Sequence, residues 1–259
     1  MRVMTAAVAV GGRVAAFVCV LMLAGVLAAG GARAEIFSSL EGPPTSEDIA
    51  KARAAGIEIF EFDLDADAAA AAVAAVKRAK GRVTAYHIGG GGGRAWGSVK
   101  AGEWVRRYDA PRDFLALTED VKRLVKLGAD YIHFDNTHRF SGRRLEAIAD
   151  AIVAGGAGFV AKNNASKWNL VMKRRADLRP VYAVIEDAMF HAEETQHAAK
   201  LSGRGVPVYI VGFKKPIDAT KYAVTEAYAR EYAGNNPWAR VLVMDDERVY
   251  DSRTGGFVR

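Results

Sequence analysis

An α/β fold, a (β/α)8 TIM barrel, is predicted on three observations. Short apolar runs alternate with helix-periodic segments, a pattern that favours parallel strands joined by right-handed crossovers. Eight segments have strand character: 57–63, 82–88, 103–108, 130–135, 157–161, 181–185, 207–212 and 240–244. Several of them stop abruptly at charged or amide residues, and barrel chemistry gathers at the C-terminal ends of the strands. An open doubly wound sheet is the competing architecture. Its dinucleotide and phosphate-loop fingerprints are missing from the sequence.

The first 34 of the 259 residues are read apart from this fold. Arg2 and Arg13 precede an apolar run at 14–29, and Ala32-Arg33-Ala34 offers a small-x-small cleavage site. Residues 1–34 are therefore expected to be a signal peptide and 35–259 a single barrel domain, secreted or periplasmic, with no stable membrane anchor after cleavage. A transmembrane anchor is the alternative, for which the apolar run is short. Cys19, the one cysteine, falls in this run, so the mature chain would have no disulfide. The full chain has 36 Lys+Arg against 30 Asp+Glu, a net charge of +6. Removing Arg2, Arg13 and Arg33 leaves 33 against 30, or +3. No basic run is interleaved with aromatics, so nucleic acid is not expected as a partner.

After an extended entry at 35–45, a short helix spans 46–55, where Ser46 can cap, Glu47 and Asp48 suit the N-terminal dipole, and Gly56 stops it. Strand 57–63 ends in a group of carboxylates. The alanine-rich helix 67–80 turns Val73 and Val76 inward and stops at Gly81. Strand 82–88 ends at Tyr86-His87, and the five glycines 89–93 form a strand-end loop in which backbone can approach a sugar. Trp96 follows as a candidate stacking platform; a lid over the core is the plainer role for it. Segment 103–108 reads as a short third strand, and 114–127 as a helix with Leu117, Val121, Leu124 and Val125 on one face and Thr118 as N-cap. Next come helices at 141–153, 170–176, 191–201 and 218–232, each followed by a strand.

The central stretch is Asp130-Tyr131-Ile132-His133-Phe134-Asp135-Asn136, a buried strand ending at a carboxylate and an amide. Val181-Tyr182-Ala183-Val184-Ile185-Glu186 ends at a second carboxylate, and 157–161 runs into Lys162-Asn163-Asn164 between them. Two strand-terminal carboxylates on one sheet suit glycoside hydrolysis, in which one carboxyl donates a proton and the other acts as nucleophile or base. Lys162 and Asn163 are placed to hold the ionised partner and bind sugar hydroxyls. A lone strand-end carboxylate is more often a cap or a loop salt bridge; the clustering argues for chemistry here. The spacing of His133, Asp135 and His138 suits a metal ion, but the ligand set is incomplete, and neither a metal nor another cofactor is expected.

These strand ends resemble the endo-alpha-1,4-polygalactosaminidases, glycoside hydrolase family 114. Gly128-Ala129-Asp130-Tyr131-Ile132-His133-Phe134-Asp135-Asn136 is similar to that family's Gly-Phe-Asp-Gly-Val-x-x-Asp-Asn. Tyr86-His87-Ile88-Gly89-Gly90 is similar to Tyr-Ile-Ser-Val-Gly, Phe159-Val160-Ala161-Lys162-Asn163 to Gly-Leu-Lys-Asn, and Tyr182-Ala183-Val184-Ile185-Glu186 to Phe-Ala-Val-Asn-Glu. The likeness runs in order across residues 57–213. It implies a (β/α)8 barrel, cleavage of galactosamine-rich or N-acetylgalactosamine-rich polysaccharide, and a catalytic pair at Asp135 and Glu186. Departures stand at His133, where the family is usually acidic, at Ile185, where it usually has Asn, and at Lys214-Lys215, where it tends to be acidic.

The expected substrate-binding residues are Asp63, Tyr86, His87, Trp96, Asn136, Lys162 and Asn163, with a polysaccharide as partner. Two other readings stay open: a catalytically inactive barrel that binds carbohydrate or protein in its mouth, and another barrel hydrolase or isomerase. Whether hydrolysis would retain or invert configuration is open at this point.

Overall fold

The computed structural model describes residues 18–20, 35–39, 42–54, 56–88, 111–135, 140–186, 188–214, 223–244, 249–251 and 256–258. Among these residues, eight parallel strands alternate with seven α-helices: β1 Glu35–Ser39, α1 Ser46–Ala54, β2 Ile57–Phe62, α2 Ala69–Arg78, β3 Arg82–Ile88, α3 Pro111–Lys126, β4 Tyr131–Asp135, α4 Gly142–Ala154, β5 Gly158–Lys162, α5 Ala165–Arg174, β6 Tyr182–Glu186, α6 Ala192–Gly203, β7 Val208–Phe213, α7 Glu226–Asn235 and β8 Ala239–Met244. Each strand pairs in parallel with the next. Val18–Val20 pairs antiparallel with β1, and Val249–Asp251 with β8 and with Gly256–Val258. Among the described residues no ladder joins β8 to β1.

The sheet is nonetheless curled into a barrel, as one hydrogen bond shows. Tyr182 on β6 donates from its hydroxyl to Glu61 on β2 at 3.1 Å. These strands are four ladders apart, roughly 19 Å in a flat sheet at 4.7–4.9 Å per strand. Only curling brings them together. The predicted (β/α)8 arrangement is thus observed, with one strand in a different place. The entry segment supplies the first barrel strand, β1, while the candidate strand 103–108 lies outside the described residues.

Period-two alternation divides the strands between two environments. Phe60, Phe62, Ile132, Phe134, Phe159, Ile185 and Ile210 face outward and pack under the helices with Val76, Leu117, Val121, Ile148, Trp168 and Leu201. Trp168 stacks on Phe159 with ring centroids 5.4 Å apart. Ile36, Ile59, Val160, Tyr182, Tyr209, Val211 and Leu242 face the barrel interior. The buried polar residues Glu61, Thr84, His133, Lys162 and Arg240 share the face of these inward positions.

Several helix ends match the sequence expectation and others correct it. Ser141 caps α4 by accepting from Arg144 N. Thr118 does not cap α3. The helix already starts at Pro111, whose fixed φ suits a first helical turn, and the Thr118 hydroxyl donates back to Phe114 O at 2.9 Å. The last helix begins at Glu226 rather than near 218, because Thr225 is extended and caps it by accepting from Tyr228 N. Gly128 closes α3 at φ +109°, and a Cβ there would lie 2.4 Å from Val73 Cγ1. That glycine delivers the chain directly into β4. Asp130, just before the strand, is held by Lys77, Arg82 and the Val83 N–H. It is therefore a structural anchor at the end of β4 opposite Asp135.

Candidate active site

The site follows from the alternation of three neighbouring strands. On β4, Ile132 and Phe134 pack outward, leaving Tyr131, His133 and Asp135 on the inner face. On β5, Phe159 and Ala161 pack outward and Lys162 points in. On β6, Ala183 and Ile185 pack outward, with Tyr182, Val184 and Glu186 inside. Asp135, Lys162 and Glu186 each occupy the last position of their strand, so all three gather at the C-terminal mouth.

Lys162 joins the two carboxylates. Its Nζ lies 2.8 Å from Glu186 Oε1 and 3.8 Å from Asp135 Oδ1, so those oxygens are at most about 6.6 Å apart, the sum of the two distances. Tyr86, from the end of β3, donates its hydroxyl to Asp135 Oδ2. Asn163 clamps Glu186 from two sides: its Oδ1 accepts from Glu186 N at 2.8 Å, and its Nδ2 lies 3.4 Å from Glu186 Oε2. It does so from a left-handed backbone conformation, φ 49°, which asparagine tolerates better than most residues.

The electrostatics favour an ionised Asp135. Burial alone works toward the neutral carboxyl. Lys162, then His133, then the Tyr86 hydrogen bond outweigh it and hold the group below its ordinary value of 3.8, against the opposing Glu186 charge. Burial likewise works against the Lys162 ammonium, yet Asp135 and Glu186 hold it charged well above its ordinary range. Burial, followed by the Asp135 charge, pushes the Tyr86 hydroxyl well up, so it stays a donor.

This sets the acid dependence of stability. A carboxyl depressed below its unfolded value of about 3.9 contributes stability above that pH and loses it as pH falls through the folded value. Between pH 4 and pH 2 the urea midpoint of the wild type should therefore fall more steeply than that of Asp135→Asn. Equal slopes would show that the fold does not hold Asp135 ionised.

Below this layer lies a second polar layer. Glu61 Oε2 is 2.8 Å from His133 Nδ1 and accepts from Tyr182 OH at 3.1 Å, and Thr84 Oγ1 lies 3.2 Å from the same hydroxyl. Across the barrel, Arg240 donates to Tyr209 OH at 3.0 Å. A cleft of about 680 Å³ opens beside Glu186, lined among others by Asn163, Asn164, Phe190, His191, Glu193 and His197.

Of the predicted site residues, Tyr86, Asp135, Lys162, Asn163 and Glu186 come together. Asp63 does not join them: its carboxylate accepts from Asp65 N at 2.8 Å and closes the turn after β2. His87 lies in β3, with its side chain outside the described set; Trp96 and Asn136 lie outside the described residues altogether. His133 Nδ1 is held by Glu61, and His138 lies outside the described residues. Glu61, Thr84, Tyr182 and Arg240 were missed by the sequence reading. Strand parity was the available signal, since Glu61 is in phase with Ile59, and Tyr182 with Glu186.

Strand order, curl and polar mouth define the chain as a (β/α)-barrel protein. Its structure is similar to the glycoside hydrolase domain of PelA from Pseudomonas aeruginosa, with a TM-score of 0.53 and 15% identity over 81% of this chain and 93% of that one. A variant of that domain with one glutamate replaced by alanine gives a TM-score of 0.54 and 16% identity over the same shares. The sequence matches no protein-family model and no curated protein.

Proposed function

We propose that this barrel is a retaining glycoside hydrolase acting on galactosamine-rich polysaccharide, with Asp135 as nucleophile and Glu186 as general acid and base. The observation that carries the reading is the Lys162 ammonium bridging two strand-terminal carboxylates at the barrel mouth. Retaining enzymes space their carboxyls about 5–5.5 Å apart and inverting ones about 6.5–9.5 Å, and the limit of about 6.6 Å between Asp135 Oδ1 and Glu186 Oε1 leaves room for the retaining spacing. The resembled motifs fall on consecutive strands β3 to β6. The fold shared with a domain described as a glycoside hydrolase supports the same reading.

The roles follow from the surroundings. Asp135 is the carboxyl held ionised, with Tyr86 on its Oδ2 and Lys162 beside the Oδ1 that attacks the anomeric carbon. Glu186, a carboxylate on Lys162 in the resting site, takes up a proton as substrate binds, and as the new bond forms it gives that proton to the glycosidic oxygen, the C–O bond breaks and the leaving sugar departs. The product is a glycosyl ester on Asp135. Glu186, now a carboxylate, takes a proton from water as the water oxygen attacks the anomeric carbon, and Asp135 leaves as the anion. Asn163 keeps Glu186 aimed throughout, and Lys162 balances whichever carboxylate is charged. Glu193 and Glu194 in the adjoining cleft suit the ammonium of a deacetylated hexosamine. Export belongs to this reading, with residues 1–34 as the signal.

A panel of galactosamine and glucosamine polymers at several degrees of acetylation tests it, read as new reducing ends. Partly deacetylated galactosamine polymer should be cleaved fastest. Binding without cleavage would support an inactive carbohydrate-binding barrel instead, and neither binding nor cleavage of any hexosamine polymer would sink both readings.

A further inference from the structure

We propose that Glu61 and His133 are positioning residues for Asp135, acting through Tyr86. The inference rests on the reading of Asp135 as the attacking carboxylate and goes beyond it, because neither residue lies at the strand ends where the reacting groups gather.

The geometry is a relay across three strands. Glu61 of β2 and His133 of β4 have side chains only 6% and 3% exposed, and they meet at 2.8 Å through Nδ1. The same Glu61 oxygen also accepts from Tyr182 of β6. Two contacts from different strands fix the carboxylate, and the carboxylate fixes the imidazole. A carboxylate beside Nδ1 selects the form with its proton there and orients the ring. The imidazole then packs against Tyr86 of β3, with ring centroids 4.9 Å apart and planes tilted by 59°. Tyr86 in turn donates to Asp135. His133 also precedes Asp135 by two residues on one strand face, so the imidazole sits directly below the carboxylate.

An isolated buried Glu61 would have no reason to persist, since a buried carboxylate is costly unless paired. Nor is the imidazole in surplus, because its contact with the Tyr86 ring lies on the side leading to the reacting group. The charged and titratable groups around His133 are Glu61 from β2, Tyr86 from β3, Tyr131 and Asp135 on its own strand, Lys162 from β5, and Tyr182 and Glu186 from β6. Arg240 stands across the barrel, bonded to Tyr209.

The test is a double-mutant cycle of His133→Asn and Tyr86→Phe, read on the titration of the Asp135 carboxyl by 13C NMR and on kcat. Asparagine keeps a donor for Glu61, so the buried carboxylate is not orphaned, and His133→Gln serves the same purpose should the first variant not fold. Each single variant should raise the Asp135 midpoint by about one pH unit, a tenfold change in its ionisation constant. Each should lower kcat about tenfold or more with KM little changed. The double variant should shift the midpoint and lower kcat by less than the two singles combined, because both act through one hydrogen bond. Full additivity, or an Asp135 titration unmoved in a folded His133 variant, would overturn the inference. The NMR titration needs no turnover, so a wild type that hydrolyses nothing would defeat the proposed activity and still leave the relay measurable.

Discussion

Asp135→Asn and Glu186→Gln should each remove most hydrolysis while the barrel stays folded. Both substitutions keep the size of the side chain and its capacity to accept a hydrogen bond. Asparagine cannot form the glycosyl ester, and glutamine cannot give or take the proton. General acid–base catalysis alone is worth about 10² to 10⁴ in rate, and loss of the nucleophile should cost at least as much. The two variants should also differ in kind. A sugar carrying a leaving group that needs no protonation should still load onto Asp135 in Glu186→Gln, giving a burst of released leaving group. Asp135→Asn should give no burst. Steady-state and burst kinetics with an activated glycoside check this, and a burst from Asp135→Asn would reverse the assignment of roles.

The largest effect on stability is expected from Lys162→Met. The ammonium side chain is 6% exposed, and Asp135 and Glu186 stand at 18% and 21%. Methionine fills similar space but leaves two carboxylates facing each other in a partly buried mouth. Breaking a buried ion pair from one side costs about 3–5 kcal/mol, and the partial exposure here points to about 3. The pH dependence carries the mechanism. Because both carboxylates hold the lysine charged well above its ordinary range, its contribution is present at neutral pH and fades only as pH rises through the folded value. Toward pH 3 the variant's carboxyls take up protons and the repulsion disappears, so the gap between variant and wild type should narrow. Urea unfolding at pH 3 and pH 7 measures both ends, and a gap that is the same at both would mean that packing, not charge, is what Lys162 supplies.

Much of the site was legible because barrel strands advertise their ends. An apolar run that stops at Asp135, Lys162 or Glu186 has its last inward position at the mouth, and strand parity does the rest. The same logic misled at Asp63. It follows the last residue of β2 and turns back to its own loop, while Glu61, two residues earlier and in phase with Ile59, carries the buried charge. In sequence alone, a carboxylate between Phe60 and Phe62 carries no sign of a partner. Only the curl of the sheet, which brings β6 against β2, shows that it is enclosed. His133 was noted as a departure from the resembled motif without a partner to explain it, and the partner sits 72 residues away on another strand. The first barrel strand was hidden for another reason: Glu35–Ser39 has only two apolar residues, Ile36 and Phe37, beside the entry segment with Pro43 and Pro44, so it lacks the apolar run that marks the others.

Proton NMR of the products of polymer cleavage tests the account most directly, followed from the first minutes before mutarotation. The account predicts that a new anomeric signal appears with the configuration of the bond that was cleaved, because Asp135 displaces the leaving sugar from the opposite face and water then displaces Asp135 from the face the leaving sugar held, two inversions through one covalent intermediate. A first-formed product of the opposite configuration would mean that water attacks directly and that Asp135 is not the nucleophile. A folded protein that yields no new anomeric signal from any hexosamine polymer would contradict the hydrolase itself.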